Sequence, residues 1–330
     1  MTDVPLPEQG SLEYHQLHRA GRDGWWWSLL GAVAMIVLFA VVGPLLVTIP
    51  FAAYLFVKYG VGNGPGEGGT RLTDLADTTQ VTPSVLLYVF VLLIVALPAS
   101  WLVQRAVSGL RPRWLASVAP RIRWRWLAVS FGVAVVALVV AIVLGSVLPS
   151  GSEDLSTSGG ANSFTSTSLD FLIIIVLCVP LQATAEEYVF RGYLTQAFGS
   201  LVPWQWPARV IAVVVPALIF AAFHGLGQSL PIFFDRFAFG IVAGILVIVT
   251  GGLEAGIAYH VVNNLLAFGI TVFFGDMTDA LNPTGGGWTD VLVSFVKSLI
   301  FVGLSIAAAR KMGVQTRSDP RVLVAPAARV

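Results

Sequence analysis

Residues 169–192 read LDFLIIIVLCVPLQATAEEYVFRG. The stretch is mostly apolar and longer than the roughly 20 residues that cross a bilayer. It ends in Glu186, Glu187 and Arg191, three charges within six residues. A charged side chain at the bilayer centre costs about 2.5–3.5 kcal/mol on insertion scales, so charges in such a helix indicate a function. The stretch predicts a membrane helix that carries part of a functional site.

The whole chain has the composition of a membrane protein. Of its 330 residues, 56% are hydrophobic and 11% are charged, whereas about a quarter are charged in soluble domains. The single cysteine, Cys178, lies in an apolar run and excludes an intrachain disulfide or a cysteine-based metal cluster. The net charge of +1 gives no indication of a nucleic-acid partner. Residues 1–24 are polar and precede a long apolar run, which predicts an uncleaved first membrane helix.

Long apolar segments predict an all-α, polytopic bundle of about eight transmembrane helices. They cover residues 26–59, 84–103, 126–148, 169–198, 207–224, 230–250, 253–274 and 288–309. We expect Pro44 and Pro50 to break the first of them, because proline removes a helical hydrogen bond and clashes with the preceding turn.

Positive charge alternates between the connections and predicts that both termini are cytoplasmic. The chain then divides into a polar tail (residues 1–24), helices one to three with an Arg-rich inner loop (25–164), a core of helices four to seven (165–275), helix eight (276–311) and a cytoplasmic tail (312–330). The Gly/Ser/Thr-rich connections near 60–83 and 150–168 are typical of flexible linkers. His15 and His18, in the first tail, are expected to be solvated. The Arg-rich composition suggests a bacterial plasma membrane.

Helical spacing separates the three charges of the fourth helix. Glu187 and Arg191 are four residues apart, so they share a face and can form an ion pair. Glu186 points about 100° away from Glu187. We therefore expect Glu187 and Arg191 to support the structure and Glu186 to have no partner on its own helix, which leaves it available for chemistry.

Two further helices carry isolated histidines. FAAFH places Phe220 and His224 four residues apart, and HVVNN does the same for His260 and Asn264. A rise of 1.5 Å per residue puts these side chains and Glu186 at depths that are compatible with one cavity inside the membrane.

One carboxylate, two imidazoles and one amide are suited to the activation of water and the stabilisation of an oxyanion. Glu186 would take a proton from water that His224 helps to position, while His260 and Asn264 would donate hydrogen bonds to the tetrahedral intermediate. Glu186, His224 and His260 could also bind zinc. However, the sequence has no HExxH motif, so the residues leave the question of a metal open.

These residues resemble the CPBP family of intramembrane proteases, which includes the type II CAAX prenyl endopeptidases. EEYVFR matches the family's EExxxR, FAAFH its FxxxH and HVVNN its HxxxN, in the family's order and on three predicted helices. The resemblance covers about residues 169–274. It implies an eight-helix fold in which Glu186 and His224 are catalytic, His260 and Asn264 form the oxyanion site, and Glu187 and Arg191 support the architecture. It leaves open whether the protease is of a glutamate type or metal-dependent.

The function implied is an endopeptidase, of the EC 3.4 class, that cuts a membrane peptide or a lipidated, CAAX-like protein. The alternatives are a non-catalytic protein of the same fold that acts in binding or bacteriocin immunity, and a proton-coupled transporter, since intramembrane Glu and His also serve as proton relays. Three charged residues receive no role: we expect Arg236, beside Asp235, and Lys297 to pair with carboxylates inside the bundle.

Overall fold

The computed structural model describes residues 10–147, 160–225, 228–283 and 286–324. Within these ranges every named element is a helix, and eight helices are long and apolar enough to span a membrane. We number them α1 to α8: Trp25–Tyr59, Pro83–Ser108, Trp124–Val147, Ser166–Gly199, Gln205–Phe223, Leu230–Thr250, Glu254–Phe274 and Trp288–Met312. The protein is therefore a multi-pass integral membrane protein of all-α fold, as the sequence predicts.

Helix α1 differs from the prediction, because it continues through both prolines. A wide π-helical segment, Leu38–Val42, stands directly before Gly43 and Pro44. Such local widening relieves the contact between a proline ring and the carbonyl of the preceding turn, and it is one way in which membrane helices tolerate proline. Pro50 lies in the α-helical part that follows. The first apolar segment therefore forms one continuous helical span rather than two short helices.

Short helices outside the spanning segments correct the linker prediction. The connection after α1 contains the helix Gly68–Ala76, whose glycines pack closely on the end of α1: a Cβ on Gly68 would lie 2.6 Å from Phe56. Another short helix, Met277–Leu281, follows α7. Most of the other expected linker, with Glu153 and Asp154, lies outside the described residues.

The other three helices of the predicted core, α5, α6 and α7, all contact α4. Helix α4 contacts α2 on one side and α7 on the other, and α5 packs along α6. Gly240 and Gly244 on α6 allow this helix to pack closely on α5. A Cβ on Gly240 would lie 2.7 Å from that of Ala217, and one on Gly244 would lie 3.1 Å from Val213. Small residues that bring backbones together are a common means of helix association in membranes, where the hydrophobic effect does not drive it.

The N-terminal segment is packed against one end of the bundle, which we call the terminal side because the residues after α8 lie there too. Residues Tyr14–Ala20 form a 3-10 helix, and His15 and His18 are buried, not solvated. Burial lowers the pKa of each histidine to about 4, since it disfavours the charged imidazole. His18 Nε2 lies 2.8 Å from Gln104 Oε1 on α2. The described part of the tail, from Gly10 onward, is therefore part of the folded bundle.

A buried ion pair fixes the start of α7. Glu254 is fully buried and receives three hydrogen bonds from Arg123, at 2.6 to 2.9 Å, including one from its backbone N–H. Arg123 also donates to the carbonyls of Thr250 and Gln315. This part of the Arg-rich loop is thus joined to α6, α7 and the chain after α8. It sets the position from which α7 carries His260 into the bundle.

Candidate active site

The charged motif of α4 lies on a wide turn. Residues Glu187–Leu194 are π-helical, and all eight are buried. Regular α-helix precedes this segment up to Glu186 and resumes at Thr195. Segments of π-helix inside α-helices are rare and occur frequently at functional sites. The sequence predicts a continuous helix here and gives no signal for this widening.

Glu187 and Arg191 form the ion pair that their spacing predicts. Arg191 Nη1 lies 3.0 Å from Glu187 Oε1, and both side chains are buried. The guanidinium carbon of Arg191 also lies 4.1 Å from the ring centroid of Phe220 and 5.3 Å from that of Phe239. A carboxylate and two aromatic faces thus stabilise a cation that has no access to water. The contact is consistent with the supporting role that the FxxxH motif suggests for Phe220.

His260 lies between the two glutamates, and this arrangement differs from the sequence-based interpretation. Its Nδ1 is 3.0 Å from Glu187 Oε1, and its Nε2 is 3.3 Å from Glu186 Oε2. Because the first contact is a well-formed hydrogen bond, Nδ1–H donates to Glu187 and the ring presents Nε2 to Glu186. A carboxylate that accepts this hydrogen bond fixes both the tautomer and the ring orientation of the histidine. Glu187 therefore orients a predicted catalytic residue as well as neutralising Arg191.

Gly256, one turn before His260, allows α7 to approach α4 this closely. A Cβ at this position would lie 2.6 Å from Glu187 Oε2. Any larger side chain would displace the carboxylate that holds both Arg191 and His260. The glycine gives no distinctive signal in the sequence, and its role is visible only from the packing.

His224 lies just beyond the end of α5 and not within it as predicted. The helix ends at Phe223, and Gly225, with φ of 113°, turns the chain away from the bundle. His224 Nδ1 lies 2.9 Å from the carbonyl oxygen of Phe220 and donates to it. The neutral ring then presents Nε2 as a hydrogen-bond acceptor, which suits it to receive an O–H from water.

One cavity of about 620 Å³ brings the four predicted residues together: Glu186, His224, His260 and Asn264 all line it. Apolar side chains of α1 and α2, among them Phe39 and Phe90, form the opposite wall. Glu186 is only 4% exposed, and its Oε2 makes no hydrogen bond of good geometry with any described residue. The cavity is thus bordered by a buried carboxylate with one oxygen that lacks a hydrogen-bond donor among the described residues.

Two amides to which the sequence gives no role, Gln182 and Asn263, line the same cavity and form a chain with Asn264. Asn264 Nδ2 donates to Gln182 Oε1 at 3.3 Å, and Asn263 Nδ2 donates to Asn264 Oδ1 at 3.4 Å. Gln182 lies one turn before Glu186, and its side chain interacts with that carboxylate. At the far end, Lys297 Nζ donates to Asn263 Oδ1 at 2.6 Å. Lys297 thus bonds to an amide and not to the carboxylate that we expected.

Asp235 and Arg236 are close to each other on α6, 3.6 Å apart, so the expected carboxylate partner of Arg236 is its neighbour in sequence. Arg236 also lines the cavity of the candidate site. A smaller cavity of about 340 Å³ adjoins it and is lined by Asp235, Arg236, Asn263 and Lys297. The charges that had no role in the sequence therefore surround a polar chamber beside the candidate site.

The predicted zinc ligands do not form a metal site in this arrangement. Within the described residues, no three His, Cys, Asp or Glu side chains come close enough together to hold an ion. Glu186 and His260 are in contact, but the Nδ1 of His224 is engaged by the carbonyl of its own helix.

The fold and the cavity define a class: a helical membrane protein with a carboxylate, two imidazoles and amides gathered inside the membrane. Comparison with known proteins agrees with this description. Residues 167–266 match the model of the family described as type II CAAX prenyl endopeptidase Rce1-like. The matched range contains all three motifs, so the resemblance seen in the sequence is confirmed.

One curated relative is similar over most of the chain. The protein YyaK of Bacillus subtilis (strain 168), described as uncharacterized, is 26% identical over 242 residues, which are 71% of this chain and 79% of that protein. No solved structure gives a significant match.

Proposed function

We propose that this protein is an intramembrane endopeptidase that hydrolyses a peptide bond of a membrane-associated substrate with water activated by Glu186. The observation that carries the proposal is the buried Glu186 carboxylate, which contacts His260 and leaves one oxygen without a hydrogen bond in a cavity. The match to the CAAX endopeptidase family supports the same reaction class.

The contacts suggest a division of roles. Glu186 accepts a proton from water as the water oxygen attacks the carbonyl carbon, and it then passes that proton to the amine nitrogen when the C–N bond breaks. His224, with Nδ1–H donating to the Phe220 carbonyl, accepts a hydrogen bond from the same water through Nε2. Asn264 would donate an N–H to the oxyanion that forms on the carbonyl oxygen, and His260 would do so through Nε2 when its ring carries a proton on both nitrogens.

The walls of the cavity suggest the class of substrate. Its polar groups lie on α4, α6 and α7 and in the connection after α5, whereas α1 and α2 contribute the apolar side chains of Phe39, Val89, Phe90 and Leu93. An extended peptide would place its scissile bond on the polar side and an apolar side chain or lipid group against the other wall. This arrangement favours a substrate that reaches the site from the membrane, of which a prenylated C-terminus is one form.

The test is cleavage of fluorescent membrane peptides, with and without a prenyl group, by purified protein in liposomes. Glu186→Gln is expected to lower kcat by about 100- to 10,000-fold, the usual contribution of a general base. Asp170→Asn removes an exposed carboxylate near the other end of the same helix and serves as the matched control. Wild-type cleavage by Glu186→Gln, in protein that is folded and inserted, would refute the proposal and favour a binding or immunity role.

A further inference from the structure

A second cavity lies far from the candidate active site, on the perimeter of the bundle. It has a volume of about 580 Å³ and runs between α5 and α6 at the terminal side. Its walls are branched aliphatic side chains, and several of them face outward: Val210 is 55% exposed, and Ile245 and Val249 are each 39% exposed. We call it the α5/α6 groove. Its open side faces the surroundings of the bundle, which in an integral membrane protein are lipid.

The groove has a polar end. Glu13, Arg209 and Arg317 line that end together with Trp206, whose ring is 72% exposed. An exposed tryptophan in the first turn of a spanning helix is typical of the headgroup layer. The aliphatic walls continue from Val249 to Ile241 on α6, a depth of about 12 Å at 1.5 Å per residue. The groove is thus complementary to a lipid, because it has one charged end and one long apolar part.

Among the described residues that line this end, two guanidinium groups share one carboxylate. Glu13 is 8% exposed and binds Arg209 at 2.6 and 2.9 Å and Arg317 at 2.6 Å. One carboxylate neutralises only one of the two guanidinium groups. Arg209 uses Nε and Nη2 in these bonds, and Arg317 uses Nη1 and Nη2, the former on the Ser11 carbonyl. Further N–H groups are therefore left for an anion, and both arginines are partly exposed.

We propose that the α5/α6 groove binds an anionic glycerophospholipid, with one acyl chain along the aliphatic walls and the phosphodiester on Arg209 and Arg317. An acyl chain in the groove gains nothing over the chains of the surrounding bilayer, which are equally apolar. Selectivity therefore comes from the headgroup, and one uncompensated basic side chain at a membrane surface gives a preference of about fivefold for an anionic lipid.

The test is native mass spectrometry of the purified full-length protein, equilibrated with equal amounts of phosphatidylglycerol and phosphatidylcholine that have identical acyl chains. Wild type is expected to retain phosphatidylglycerol about fivefold over phosphatidylcholine. Arg317→Gln is expected to abolish the preference, and the matched control Arg321→Gln, which alters a 91% exposed arginine nearby in the same tail, is expected to keep it. Neither variant alters the candidate active site, so the result does not depend on the proposed protease activity.

A second variant separates the groove from a general effect of surface charge. Val210→Trp fills the exposed edge of the groove and leaves both arginines in place, so it is expected to reduce the amount of lipid retained. Equal retention of the two lipids by wild type would overturn the proposal. So would a preference that persists in both Arg317→Gln and Val210→Trp, or a dimer that Val210→Trp converts to monomer, since a second copy would then occupy the groove.

Discussion

Glu186 and Glu187 are adjacent, and we predict that substitution of Glu187 lowers mainly the stability of the protein, whereas substitution of Glu186 lowers only its activity. Glu187 is fully buried and contacts Arg191 and His260, each at 3.0 Å. Glu187→Ala leaves a buried guanidinium without its carboxylate, and removal of one partner from a buried ion pair costs about 3–5 kcal/mol. His260 also loses the acceptor that fixes its ring. The variant is expected to be unstable and, where folded, weakly active.

Glu186 is also buried, but no arginine or lysine forms an ion pair with it among the described residues. Its contacts are Gln182 and His260, the latter at 3.3 Å. Glu186→Gln removes a charge that is poorly compensated and keeps the side-chain volume. We therefore expect a change in the free energy of unfolding of less than about 1 kcal/mol, within the range of mildly perturbing substitutions. Catalysis, in contrast, is expected to be lost.

Both quantities can be measured on the same preparations. The free energy of unfolding would come from reversible denaturation in mixed detergent and SDS micelles, and the rate from peptide cleavage. Glu187→Gln is an intermediate case, since the amide keeps a hydrogen-bond acceptor for Arg191 but loses the charge. A stability loss for Glu186→Gln as large as that for Glu187→Ala would refute the assignment of the two roles, because it would make Glu186 the structural carboxylate.

Further predictions test the packing, the amide chain and the N-terminal segment. Gly256→Ala is expected to lower activity at least tenfold by displacing Glu187, whereas Gly303→Ala, in α8 with no atom within 4 Å of the new Cβ, is expected to leave cleavage unchanged. Lys297→Met should lower kcat more than it changes KM, because it removes the donor that holds the amide chain, and Lys297→Arg should restore part of the loss. The pKa values of His15 and His18 are about 4 when the segment is docked and 6.5 when it is free, so docking is strongest above pH 6.5 and weakens toward pH 4, by about 2 kcal/mol per histidine at pH 5. Hydrogen exchange of the segment at pH 7.5 and 5 would show this, and His18→Gln should remove about half of the difference, because His15 keeps its own contribution.

Local patterns in the sequence were sufficient to predict most of the fold and the composition of the site. Eight helices follow from apolar length alone, and the pairing of Glu187 with Arg191 follows from their spacing on one helix. The gathering of Glu186 with His224 and His260 was inferred from depth, which counts residues along each helix. Each of these predictions uses only the residues of one segment at a time.

What could not be predicted depends on contacts between segments. The π-helical turn, the approach of α7 at Gly256 and the burial of His15 and His18 each result from the packing of distant elements, and no periodicity indicates them. The bond from Lys297 to Asn263 joins α8 to α7 and has no local pattern either. A single lysine in a membrane helix indicates that it has a polar partner, but the sequence does not identify that partner.

Several charged groups around the cavity lie close to a group of opposite charge. Glu187 is paired with Arg191, and Asp235 lies beside Arg236. Among the described groups that contact the site, Glu186 and Lys297 are left with opposite charge and no direct ion pair between them. Three amides, those of Gln182, Asn264 and Asn263, separate the two ends.

A membrane protein that needed these charges only for structure would place Lys297 against Glu186, because a direct pair lowers the cost of burying both. The amides instead keep the ammonium at a distance while their aligned dipoles connect it to the carboxylate. Each end of the chain therefore has a polar partner, although the two charges do not touch each other. We expect this separation to leave Glu186 available to a polar molecule in the cavity, as the proposed activation of water requires.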